Sequence, residues 1–220
     1  MARIIGYGED ALTYRLLKNS LKTLLIELGD DSEPSDCLVF YRPSLGRKGG
    51  CYGEFDGMLV ARNSIYLIES KWEGTREMKR GKMNFNVRIE QEDRHKIFSW
   101  FLLHWKCKSA LNSLKKNEDL SAEFEGEFEG KQIPSSKDTL GKNLEFILNK
   151  IFGRFPENTK PSIVNVFLFF RREGSKTVPN IVSSKIQFEP AIIDYSTFEG
   201  VFLFDMKKGI LEKNDNDPEG

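Results

Sequence analysis

Cysteine is scarce. The chain has 3 in 220 residues, Cys37, Cys51 and Cys107, an odd number with no Cys-x-x-Cys spacing. That argues against a disulfide framework or a zinc knuckle and for a reducing interior. Long apolar runs are missing too. The longest, Ile163 to Phe170, contains Asn165 and is far too short to span a bilayer. The first ten residues, MARIIGYGED, lack an apolar signal core. The expectation is a cytoplasmic protein with no membrane association. Net charge is also absent: 33 Lys and Arg offset 33 Asp and Glu, so nothing global argues for a polyanionic partner.

Local charge is less even. Lys71 to Lys116 carries 12 basic and 5 acidic residues, whereas Asn117 to Gly130 has 6 acidic residues and no basic one. A neutral total therefore hides a basic stretch beside an acidic segment. Hydrophobic content of 39% with 30% charged residues is ordinary for one globular α/β domain, but 17 phenylalanines demand broad buried faces.

Leucines at three- and four-residue steps predict an amphipathic helix over Asp10–Leu28, stopped by Gly29-Asp30-Asp31. Strands are predicted over Cys37–Tyr41, Tyr52–Ala61 and Ser64–Lys71, the last two joined by a tight turn at Arg62-Asn63. Glu73–Lys82 reads as a polar, flexible stretch. A long helix follows from about Val87 to Leu114, buried at Phe98–Trp105, and another spans Leu140–Phe152. Between them Glu123–Gly130 repeats the tetrapeptide EFEG and reads as an acidic loop or extended arm. Ile163–Phe170 predicts a central strand, with shorter strands at Ala191–Tyr195 and Val201–Phe204 joined by a turn at Ser196–Gly200. The expected fold is α/β, a mixed central sheet with helices on both faces. It forms one domain over residues 1–212 with an insertion at about 115–160, followed by a disordered tail over 213–220.

The chemistry concentrates in Glu54-Phe55-Asp56 and Glu69-Ser70-Lys71. With the turn centred between Arg62 and Asn63, Val60 faces Ile65, Met58 faces Leu67 and Asp56 faces Glu69. Lys71 lies on the same side as Glu69, while Phe55, Gly57, Leu59, Tyr66 and Ile68 form the opposite, apolar face. Two carboxylates crowded at the end of a buried face repel one another. One takes up a proton, the lysine supplies charge, or a cation sits between them. Such an oxygen-rich corner suits Mg²⁺ or Mn²⁺, which can polarise a phosphate oxygen and activate a water. Lys71 would hold or deprotonate that water.

This pattern resembles the PD-(D/E)xK, restriction-endonuclease-like nuclease superfamily, in which Asp on one strand precedes Glu-x-Lys on the next. The resemblance implies a restriction-endonuclease-like core, Asp56 and Glu69 as metal ligands with the Ser70 carbonyl, and Lys71 assisting the nucleophile. It implies a magnesium-dependent endonuclease or exonuclease hydrolysing DNA. Archaeal Holliday-junction resolvases also carry a glutamate after glycine in the first helix, which Glu9 in Gly6-Tyr7-Gly8-Glu9 matches. Nuclease-related-domain and RecB-like groups have a glutamine in the next helix, and Gln91 is the counterpart. Phe55 stands where the nominal proline would be, and the 115–160 insertion has no counterpart.

Competing readings stand beside these. The acids and lysine are otherwise a surface ion-pair cluster, Glu9 a dipole-favoured residue in a first helical turn, Glu54 a rim residue and Gln91 a polar helix residue. His95 and His104 are expected to pack, or for His95 to meet a DNA phosphate. Arg76, Lys79, Arg80 and Lys82, with Arg42, Arg47 and Lys48, are candidates to track a nucleic-acid backbone or are simply solvated. A homodimer would suit double-strand cutting. The alternative function is a catalytically inactive module of the same fold binding a protein or nucleic acid, with the acidic 117–130 segment as a surface for a protein partner.

Overall fold

The computed structural model describes residues 3–6, 8–45, 52–73, 84–105, 110–156, 159–195, 202–205 and 210–212. Strand β1 (Arg3–Gly6) precedes helices α1 (Gly8–Asn19) and α2 (Leu21–Glu27). Three strands follow: β2 (Leu38–Tyr41), β3 (Gly57–Val60) and β4 (Ser64–Trp72). Next come β5 (Asn84–Asn86), α3 (Ile89–His104), α4 (Leu111–Lys116), α5 (Glu118–Glu127) and α6 (Thr139–Phe152). The chain continues through β6 (Ser162–Arg172), β7 (Asn180–Val182), β8 (Glu189–Tyr195), β9 (Phe202–Asp205) and β10 (Ile210–Glu212).

The central sheet has five strands in the order β2-β3-β4-β6-β8. β2, β3 and β4 are antiparallel neighbours, whereas β4, β6 and β8 run parallel. A mixed sheet of this kind is covered on both faces. On one side Met58, Val60, Ile65 and Leu67 pack with α3 (Phe98, Phe101), α5 (Phe124) and α6 (Leu144, Leu148). On the other, Leu59, Tyr66, Ile68 and Leu168 meet the leucines of α1 and α2. β4 is buried through most of its length and β6 over Val166–Phe170, which explains the near-continuous apolar sequence of those stretches. The phenylalanine excess is absorbed there: among the described residues eleven of the 17 are buried.

Several elements differ from the sequence expectation. The first helix breaks at Ser20 (φ −133°), because serine competes for backbone hydrogen bonds and favours helix ends, although the leucine stripe continues into α2. The predicted Tyr52–Ala61 strand shortens to β3. The long helix ends at His104, and α4 is a separate turn of helix. The acidic EFEG segment is not an arm. Asn117 caps α5 by accepting the Leu120 N–H, and Phe124 and Phe128, one helical turn apart, are buried in the core. Its acidic side chains line the exposed face. β9 leaves the central sheet to pair with β1 and β10. The expected turn at Ser196–Gly200 and the 213–220 tail lie outside the described residues.

Candidate active site

The β3–β4 hairpin has the register read from its turn: Val60 pairs with Ile65, Met58 with Leu67 and Gly57 with Ile68. It stops one residue short of the expected Asp56–Glu69 pair. The Asp56 N–H donates to the Ile68 carbonyl (3.2 Å), so residues 56 and 57 both oppose residue 68, a bulge-like slip. The slip turns Phe55 to the α3 side, where its ring meets His95 and Phe98, instead of the α1 face on which alternation placed it. Asp56 Oδ2 accepts the Ser70 N–H at 2.7 Å. Its carboxylate is thereby tied to the residue between Glu69 and Lys71.

Lys71 Nζ donates to Glu9 Oε1 (3.0 Å), in the first turn of α1, and to the Ser70 carbonyl (2.7 Å). The carbonyl expected to be a metal ligand therefore carries an ammonium donor. The Ser70 hydroxyl is buried without a partner.

Glu69 is 3% exposed and is gripped by one face of α3. Gln91 Nε2 donates to Oε2 at 2.8 Å, and Arg94 Nη2 donates to Oε1. His95 Nε2 stands 3.4 Å from Oε1 without making a hydrogen bond, while its Nδ1 lies 2.8 Å from Asn165 Oδ1. His95 is fully buried between the rings of Phe55 and Phe188, so a phosphate contact for it is ruled out. Arg94 was missed in the sequence because it reads as one more basic residue. Its signal is spacing: Gln91, Arg94 and His95 stand at i, i+3 and i+4 on one helical face.

Arg94 stacks on the Phe55 ring (5.2 Å to the centroid) and lies against Gly53. Gly53 has φ +83°, and a Cβ there would sit 2.7 Å from Arg94 Nη1. Gly53→Ala is therefore expected to destabilise the fold by about 1–3 kcal/mol through backbone strain and loss of the guanidinium seat. Urea denaturation measures it, and an unchanged midpoint would contradict the packing.

Burial is the main cause that raises the Asp56 carboxyl to about 6, with the Glu69 charge adding to it. Glu9 is pushed up to about 7, chiefly by burial and despite Lys71. For Glu69 burial works upward, but the adjoining His95 and Arg94 outweigh it and hold the carboxyl below its ordinary range. Burial would lower Lys71, yet Glu9 and Asp56 raise it. Three acids against Lys71 and Arg94 leave one surplus negative charge when all are ionised.

That surplus, with two raised carboxyls, fits a hard divalent cation chemically. The occupancy of the donors works against it: both Glu69 oxygens and the Ser70 carbonyl already accept protein hydrogen bonds. Among the described residues no three His, Cys, Asp or Glu side chains form a ready metal-holding group.

Other candidates fall elsewhere. Glu54 and Asp10 both pair with Arg42, which fastens α1 to the segment before β3 and is not free to track a phosphate backbone. His104 approaches Glu123 (3.3 Å) on the far surface. Arg47, Lys48, Arg76, Lys79, Arg80 and Lys82 lie outside the described residues. No helix among the described residues is long and apolar enough to cross a membrane.

No protein-family model, curated protein or solved structure matches this chain. Fold and site together define a mixed α/β protein with a half-buried acid–lysine–arginine cluster, in which Glu69 is the buried acid, at the end of its central hairpin.

Proposed function

We propose that this chain is a metal-dependent nuclease hydrolysing DNA phosphodiester bonds. The observation that carries the reading is the convergence of Glu9, Asp56, Glu69, Lys71 and Gln91, drawn from α1, the hairpin and α3, into one hydrogen-bonded and electrostatically coupled group. Asp56, Glu69 and the Ser70 carbonyl would hold Mg²⁺ or Mn²⁺. Bound there, the ion supplies charge to polarise a phosphate oxygen and acidify a water. Lys71, fixed on Glu9, steadies the nucleophile and offsets charge developing on the phosphate. The Glu9 carboxyl, pushed up to about 7, exchanges its proton near neutral pH and so can receive or return one beside Lys71. Gln91 fixes the Glu69 carboxylate. DNA as substrate, a restriction-endonuclease-like core and a dimer for double-strand cutting belong to this reading.

The filled donors of Glu69 favour a second reading, a catalytically inactive module that binds a partner, with the acidic face of α5 as its docking surface. The deciding experiment is DNA cleavage with Mg²⁺ or Mn²⁺, with and without chelator. Under the nuclease reading Lys71→Met lowers the rate by at least about 10²-fold while the protein stays folded. Cleavage undiminished in both Lys71→Met and Glu69→Gln would overturn that reading, and no cleavage of any DNA by wild type would favour the module.

A further inference from the structure

Resting on the nuclease reading, we propose that Arg94 is a built-in counter-ion competing with the divalent cation for Glu69, so that an incoming ion must displace a guanidinium. Arg94 donates to Oε1, the oxygen also faced by His95, while the neutral Gln91 amide occupies Oε2. A cation coordinated by Oε1 would stand against a permanently charged group only a few ångströms away. Arginine does not deprotonate, so the competition cannot be relieved by raising the pH.

The seat is built for the guanidinium. The Phe55 ring supplies one wall, and Gly53, with no Cβ and φ +83°, leaves room for Nη1. The side chain is only 11% exposed. The hold is nonetheless incomplete, because Arg94 Nε is buried with no acceptor. A guanidinium with one buried donor unsatisfied gives up less on leaving its carboxylate than a fully paired one, so a stronger cation can take its place on Glu69. Glu69 is therefore self-neutralised in the folded chain, which accounts for a carboxylate stable in the interior before any metal arrives.

The test compares Mn²⁺ binding by the full chain with binding by Arg94→Gln, read from free Mn²⁺ by electron paramagnetic resonance. Loss of the competing charge is expected to tighten binding at least about tenfold. Because the variant leaves Glu69 buried without its ion pair, folding is checked by circular dichroism, and a second measurement uses wild type alone. In ¹⁵N-detected spectra the Arg94 Nε–H signal should shift to a solvent-exchanging position at saturating Mg²⁺. Wild type that binds Mn²⁺ while Arg94→Gln binds it no more tightly overturns the proposal and leaves the nuclease reading standing. An Nε–H signal unmoved by saturating Mg²⁺ does the same. Failure of both proteins to bind Mn²⁺ brings down the nuclease reading and the proposal together.

Discussion

Asp56→Asn is expected to lose about 10³-fold or more in metal-dependent DNA cleavage while becoming more stable at neutral pH. The first effect follows from its proposed role. Residues standing behind metal ligands cost 10–100-fold when removed, and a ligand itself should cost about ten times more. The second follows from burial. The carboxyl titrates at about 6 in the fold against 3.8 for the free group, so between those values the folded state binds more protons than the unfolded one. Stability from this group is complete below 3.8 and falls as pH rises through about 6. Asparagine never carries the charge, and its carbonyl oxygen can still accept the Ser70 N–H. The variant should therefore exceed wild type by on the order of 1–3 kcal/mol above pH 6 and converge with it in acid. Urea denaturation at several pH values, paired with cleavage assays, tests both halves. Lost cleavage with lost stability would mean that Asp56 is structural, and unchanged cleavage would remove it from the reacting group.

Phe124→Ala should produce the largest loss of stability, about 3–5 kcal/mol, typical for deleting a buried phenyl ring. Phe124 is fully buried, and its ring meets Tyr52, Trp100, Phe101 and Phe128. Glu123 beside it accepts the Trp100 indole N–H at 2.7 Å. Denaturant unfolding reads the cost. A change under about 1 kcal/mol would mean that the segment does not belong to the core.

This segment illustrates what the sequence conceals. Six acids in fourteen residues dominate its composition, yet Leu120, Phe124 and Phe128 recur every four residues and form a helical stripe. The hairpin is the opposite case. Its alternating apolar residues and two-residue turn make the register legible, because a shift by one would expose every core side chain. The slip at Asp56 leaves no such periodic trace. The ring it turns inward, Phe55, packs on Arg94, His95 and Phe98 of another element, a contact that no spacing within the hairpin announces. Strands β1, β5, β7 and β10, of three or four residues each, are too short to show alternation. Of the site, Asp56, Glu69, Lys71, Glu9 and Gln91 were legible as a group, although Asp56 meets the Ser70 amide where a strand partner was expected. Arg94 was not, since a lone arginine within a basic stretch carries no mark of a buried partner.

The loop joining β3 to β4 sits at the opposite end of the hairpin from Glu69, roughly 17 Å away along the strand. It nevertheless acts as the length gauge for the whole cluster. One residue inserted between Ala61 and Ser64 would slide Asp56 along its neighbour and separate the acids, with every participating side chain still in the gene. Insertions and deletions among descendants of this chain should therefore be common in its outer loops and absent from that short bend.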